Sequence, residues 1–153
     1  MESGFHKNFH RSLDSKGRLM LPPEYRDIVS AASGSGGFML AVFTKCIVAY
    51  PMPEWQPLKE QIQQLPNLKE DLRDFRSMIA GRSEELELDP QGRMRISQSL
   101  IRYAGLSKDV LLVGMGNRFE IWDRQRFEGL RLDDAAFDRV VQELAQRGIH
   151  FSL

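Results

Sequence analysis

Residues 13–18 read Leu13-Asp14-Ser15-Lys16-Gly17-Arg18, and residues 88–93 read Leu88-Asp89-Pro90-Gln91-Gly92-Arg93. Leucine, aspartate, glycine and arginine recur in register, 75 positions apart from Asp14 to Asp89. The likeness extends outward. Arg18-Leu-Met-Leu-Pro-Pro-Glu-Tyr25 answers Arg93-Met-Arg-Ile-Ser-Gln-Ser-Leu100. Tyr50 and Trp55 answer Trp122 and Phe127 at an offset of 72, so the first copy carries three extra residues between. An internal repeat outranks bulk composition as a guide to fold, because it says that one supersecondary unit was used twice.

Each copy reads as short strands around one short helix. Residues 8–14 lead into a turn in which Asp14 accepts hydrogen bonds from nearby backbone and Gly17 takes a positive φ, as a short hairpin loop with a bulge requires. Leu19–Leu21 is a strand. Pro22 and Pro23 stop it and open a helix, with Glu24 favoured by the helix dipole and Tyr25, Ile28 and Val29 on one apolar face. Ser33 to Gly37 is expected as a flexible loop, and Phe38–Tyr50 as two strands joined near Thr44-Lys45. In the second copy Glu85–Leu88 and Arg93–Ile96 are strands around a turn set by Asp89 and Gly92. Ser97 caps a short helix ended by Gly105, and Val110–Gly114 and Arg118–Trp122 are strands.

Pro53–Gln64 reads as one connector helix. Asn67 is expected to cap a second, with Leu68, Leu72, Phe75 and Ile79 on one face and Gly81 just past its end. A last helix is capped by Asp133 or Asp134, faces Phe137, Val140, Val141 and Leu144 inward, and stops at Gly148. The units are a first repeat over 8–55, a helical connector over 56–82, a second repeat over 84–127 and a C-terminal helix over 133–148. A unit of some 45 residues buries little core alone, so the copies are expected to interleave or pack face to face.

The 153 residues are 42% hydrophobic and 27% charged, the composition of a globular protein. No apolar run approaches the ~20 residues of a membrane span, so no membrane partner is expected. The N-terminus lacks the apolar core of a signal peptide, which gives a cytoplasmic location. The single cysteine, Cys46, sits in a strand-like stretch and suits a reducing compartment. Net charge is zero, with 21 basic and 21 acidic residues. That average hides a patch: from Phe5 to Arg18, Lys7, Arg11, Lys16 and Arg18 stand against Asp14, net +3. From Arg82 to Arg95 the balance is −1, so the first copy faces an anion better.

Two copies of Leu-Asp-x-x-Gly-Arg, each followed by an apolar strand and a helix, resemble the SpoVT/AbrB family of swapped-hairpin β-barrels. The tandem arrangement with a two-helix connector is similar to the family's bacterial regulators of the division and cell-wall gene cluster. The resemblance implies an α+β, mainly β fold: two swapped-hairpin barrel repeats, the connector and the C-terminal helix. It implies a transcription factor on double-stranded promoter DNA at direct repeats, working at the nucleoid as a homo-oligomeric ring. It makes Arg18 the leading DNA contact, with Lys16 and Arg11 beside it and Arg93 as counterpart. Copy two has Pro90-Gln91 where copy one has Ser15-Lys16, which leaves Arg93 either a DNA contact or a buttress of the barrel.

Such a site has clear chemistry. Arginine's planar fork matches the O6 and N7 of guanine in the major groove, and lysine serves as a phosphate point charge. A glycine before the arginine is expected to let the turn approach the groove. Several weak hairpins on one ring gain affinity through effective concentration.

Other readings compete. Asp14 and Asp89 suit turn formation or pairing with Arg18 and Arg93 better than metal binding. His6 and His10 fit a surface strand better than a metal pair, and Trp55 and Trp122 fit core anchors better than ligand platforms. Glu84, Glu85 and Glu87 read as a charged strand. Gly34-x-Gly36-Gly37 lacks the Gly-Lys-Ser/Thr of a phosphate loop. No cofactor, metal or small-molecule substrate is expected, and no nucleophile–base pair converges, so an enzyme ranks last. A ring that binds protein rather than DNA, antitoxin-like or structural, is the main alternative.

Overall fold

The computed structural model describes residues 4–33, 37–66 and 69–151. The strands are β1 (Asn8–Ser12), β2 (Arg18–Met20), β3 (Gly37–Val42), β4 (Ile47–Pro51), β5 (Glu84–Glu87), β6 (Arg93–Arg95), β7 (Asp109–Gly114) and β8 (Phe119–Asp123). The helices are α1 (Pro23–Ser33), α2 (Met52–Gln63), α3 (Glu70–Arg82), α4 (Gln98–Ala104), α5 (Arg124–Glu128) and α6 (Asp134–Gln146). The fold is α+β and, in number of elements, mainly β, as expected, with most strands in one antiparallel sheet.

That six-stranded sheet has the order β1-β7-β8-β4-β3-β5, and β2 and β6 form a separate two-stranded ribbon. The order is palindromic in the repeat: each copy's first strand pairs with the other copy's third. Asn8 lies opposite Val113 in one arm and Phe38 opposite Leu86 in the other. The copies therefore interleave. The sequence led us to expect β1 and β2 to form a hairpin across the Asp14 turn. They do not pair with each other. β1 joins the large sheet and β2 turns away to meet β6.

The alternation of side chains follows the strand period of two. Val110, Leu112, Phe119, Ile121, Ile47 and Ala49 point into the main core, whereas Leu111, Val113, Trp122, Val48 and Cys46 form a small cluster on the opposite face. The main core is closed by an aromatic knot. Phe5, Tyr25 and Phe119 are buried with ring centres 4.9–5.1 Å apart, and Phe9 packs edge-on against Tyr25 at 5.3 Å. Tyr25 is wholly buried, yet its hydroxyl donates to the Lys7 carbonyl at 2.8 Å, which satisfies the one polar atom the ring carries inward. Trp55 packs in the main core against Tyr50, and Trp122 in the small cluster against Phe127, the 50/55 pair of one copy matching the 122/127 pair of the other.

Local signals were legible where the hydrogen bonds are local. The Ser97 hydroxyl accepts from Leu100 N–H, and Gly105 follows the helix in the left-handed conformation. Asp133, not Asp134, caps α6 by accepting from Ala136 N–H at 2.7 Å. Two expectations fail. Gly81 lies inside α3, which runs on to Arg82 and is stopped at Ser83. The apolar residues of α6 do not face inward: Phe137 is 57% and Val140 42% exposed, and no residue of that helix is buried. Phe75 on α3 is also exposed, leaving Ile79 as the buried member of its stripe. The proposed cap Asn67, its neighbour Leu68 and the glycine-rich loop at 34–36 lie outside the described residues.

Candidate nucleic-acid interface

The two turns are near-copies in their bonding. Asp14 N–H donates to the Arg18 carbonyl at 2.9 Å and Gly17 N–H to the Asp14 carbonyl at 3.0 Å. Asp89, Arg93 and Gly92 repeat this, both at 2.9 Å. The Asp14 carboxylate accepts from the backbone N–H of Lys16 and of Arg18 on Oδ1 and from Arg18 Nε on Oδ2, at 2.7–2.9 Å. Asp89 does the same for Gln91 and Arg93 at 2.8–2.9 Å. Foremost the backbone N–H of Arg18, then its guanidinium and the Lys16 N–H, hold the Asp14 carboxyl down at about 2 against some desolvation. The Asp89 carboxyl is lowered in the same way by Arg93 and Gln91. Both stay charged at neutral pH.

Gly17 and Gly92 have φ of +80° and +82°, as the turns were expected to require of Gly17, and each is also closely backed from inside the protein. A Cβ on Gly17 would clash with the Ile96 carbonyl oxygen, and one on Gly92 would meet the Arg26 side chain at 2.5 Å. Ile101 and Arg26, which occupy equivalent places in the repeat, each back the other copy's turn. Arg26 thus brings a cation to the second turn, where the sequence lacks a lysine. Nothing in the local sequence pointed to it, because the contact is made across the swap.

Beyond the turns, β2 and β6 run antiparallel with Arg18 opposite Arg95, Leu19 opposite Met94 and Met20 opposite Arg93. Leu19 and Met94 are buried at 2% and 0%. Opposite residues share a face, so Arg18, Met20, Arg93 and Arg95 all point outward. The flanking bonds from Leu21 N–H to the Gly92 carbonyl and from Ile96 N–H to the Gly17 carbonyl place Arg18–Arg95 and Met20–Arg93 at the non-hydrogen-bonded sites. There the Cα atoms of a pair approach to about 4.5 Å. Like charges so placed repel. Asp14 and Asp89 offset two of the three cations, leaving the outer nitrogens of Arg18 and Arg93 without a protein acceptor among the described residues. Arg95 has neither ion pair nor hydrogen bond among those residues, and sequence reasoning counted its charge without giving it a role.

The other expected site residues fall apart from this face to different degrees. Lys16 is exposed at the tip of the first turn. Arg11 is spent on the fold: Nε donates to the Met20 carbonyl at 2.9 Å, Nη1 to the His10 carbonyl at 2.8 Å, and the guanidinium lies 5.5 Å from the Phe9 ring centre. It ties β1 to β2 after they part. Arg18 is partly exposed and held by its own aspartate, but it is not tucked inside, its side chain being 33% exposed against 30% for Arg93. Among the described residues no cluster of three or more histidine, cysteine or acidic side chains is placed to hold a metal. Cys46 is fully buried, and burial pushes its thiol up to about 12.

The chain matches the family described as "MraZ protein, putative antitoxin-like" twice, over residues 5–77 and 78–147. It belongs to the MraZ family. A transcriptional regulator MraZ from Nitratidesulfovibrio vulgaris strain Hildenborough is 50% identical over 147 residues, covering 96% of this chain and 97% of that one. Those from Oleidesulfovibrio alaskensis and Nitrosomonas europaea are 42% and 39% identical, covering 94% and 81% of this chain and 95% and 83% of their own. The two MraZ matches meet within α3, so each takes in one Asp-x-x-Gly-Arg turn, and the ribbon takes one strand from each.

Proposed function

We propose that this MraZ-family chain is a sequence-specific, DNA-binding transcriptional regulator, and that the β2–β6 ribbon is the part that enters the major groove. The observation that carries this is the outward ribbon face, on which Arg18, Arg93 and Arg95 are grouped within one short strand pair. A two-stranded ribbon has the width the major groove admits, and a pre-set guanidinium fork matches guanine there. Asp14 and Asp89 fix the forks by Nε and leave the outer nitrogens for a base edge. Lys16 at the turn tip suits a phosphate. The relatives' name, transcriptional regulator, agrees with this use.

Further out, the promoter is that of the chain's own division and cell-wall operon, read at direct repeats by a homo-oligomer in the cytoplasm, at the nucleoid. Self-assembly into a ring is supported by the unpartnered apolar side of α6 and by a second apolar surface on the same chain, where Phe43, Phe75 and Met78 are exposed. Different patches meeting head to tail generate rings when the rotation closes. No catalysis is assigned to the chain.

The test is a titration of operon promoter duplex against wild type, Arg18→Ala and Arg93→Ala. Each variant should lose about tenfold or more in specific affinity with an unchanged melting curve. Affinity should fall steeply with salt, as phosphate contacts demand. Undiminished binding by both variants refutes the ribbon. Salt-insensitive or absent DNA binding favours instead a protein-binding ring that works through α6.

A further inference from the structure

We propose, building on the groove-reading role given above to the ribbon, that Met20 and Arg95 give it a direction on DNA. The two-fold relation between the copies passes through the Leu19–Met94 pair and exchanges Arg18 with Arg93. The same relation exchanges Met20 with Arg95. Three of these four outward positions hold arginine, so the matching of Arg18 to Arg93 is kept and the matching at 20 and 95 is broken.

A two-fold ribbon face offers the same groups to both DNA strands and selects a palindrome. This face does not. One end presents Arg18 directly opposite Arg95, two cations of which Arg95 has no ion-pair partner among the described residues. The other end presents Arg93 beside Met20, one cation and a thioether 40% exposed. Adjacent guanidinium groups fit guanine O6 and N7 with a neighbouring guanine or phosphate, and an apolar side chain fits the thymine methyl. The ligand class is a duplex whose major-groove edge is rich in acceptors at one end and carries a methyl at the other. Asp14 offsets Arg18 and leaves the Arg95 charge to be met by acceptors on the DNA, so this end is the more dependent on base identity.

The experiment is selection from a duplex library with a randomised core, run on the full chain as wild type, Arg95→Met, Met20→Arg and the double swap Met20→Arg/Arg95→Met. Both substitutions are on an exposed face, and thermal melts check that the fold is intact. The wild type should enrich a one-directional motif, with its acceptor-rich end preferred by roughly tenfold over the same core reversed. Each single variant restores the two-fold and should enrich a palindrome. The double swap breaks it again and should return a one-directional motif, which loss of structure would not do. A palindromic wild-type motif, or a wild-type motif from either single variant, overturns the proposal while leaving the ribbon as the DNA element. A wild-type pool that enriches nothing removes the groove-reading role itself, and the proposal with it.

Discussion

Asp14 holds Arg18 at both ends, accepting its backbone N–H on Oδ1 at 2.9 Å and its Nε on Oδ2 at 2.7 Å. One carboxylate thus shapes the turn and aims the guanidinium that the turn carries.

The pH dependence follows from the sign of the shift. The Asp14 carboxyl titrates near 3.8 in an unfolded chain and near 2 here, chiefly because of the Arg18 backbone N–H. The unfolded state therefore takes up the proton first as pH falls. The stability from this group is present in full above about pH 5 and is lost as pH drops through 4 towards 2. Urea midpoints of wild type and Asp14→Asn should differ at neutral pH and converge at pH 2. At neutral pH Asp14→Asn should also weaken promoter binding, because Arg18 is no longer aimed. A gap between the midpoints that persists at pH 2 would contradict the assignment.

Gly17→Ala should cost more than Gly92→Ala. Both pay about 1–2 kcal/mol for an L-residue in the left-handed region. At position 17 the new methyl also meets the rigid Ile96 carbonyl, whereas at 92 it meets the movable Arg26 side chain. Equilibrium unfolding of the two variants ranks them, and the reverse order would show that the ribbon yields more easily than the arginine.

Asp123 is buried, accepts from Ser107 N–H and hydroxyl at 3.1 and 2.6 Å, and caps α5 through Arg126 N–H at 3.2 Å. Burial raises its carboxyl, but the Ser107 and Arg126 donors outweigh that and lower it. Asp123→Ala strands these donors and should destabilise by about 2 kcal/mol. Asp133→Ala, on the exposed cap of α6, should cost about 0.5–1 kcal/mol. Chemical denaturation separates the two.

The apolar side of α6 gives a prediction for assembly. Phe137→Asp with Val140→Asp should lower the molar mass measured by light scattering while leaving the circular dichroism of the β-sheet unchanged. Loss of avidity on repeated DNA sites should accompany it. An unchanged mass would show that α6 is not at the contact between copies.

Cys46 should be inert in the folded chain. Its thiol is buried and held near 12, so at pH 8 a disulfide reagent should label it only as fast as the protein unfolds. Immediate labelling would place it at the surface.

What the sequence made legible is what hydrogen bonds over a few residues. The Asp14 and Asp89 turns, the Ser97 cap and the proline start of α1 are local, and each is written in side chains that sit beside the groups they serve. The partner of β2 is not local. Alternation marks Leu19 and Met94 as inward, but nothing near either residue says that they face each other, so a hairpin was expected where a swapped ribbon exists. Arg95 and Arg26 were passed over for the same reason, since their meaning comes from what the swap places beside them. For α6 the periodic apolar stripe was visible in Phe137, Val140, Val141 and Leu144. Periodicity states that a face wants cover without stating that this chain supplies it. Arg11 shows the converse: a cation near the site in sequence is consumed in bracing the backbone.

The mirrored strand order has a consequence for how the chain is made. When the first half has left the ribosome, β3 waits with an open edge for β5, the next strand to be made, and β1 waits longer, for β7 at Asp109–Gly114. Neither half is expected to survive alone, and expression of residues 1–66 should give an aggregating or degraded fragment. A polypeptide that stops before β7 and β8 carries both ribbon strands but lacks the strands that close the sheet against β1 and β4.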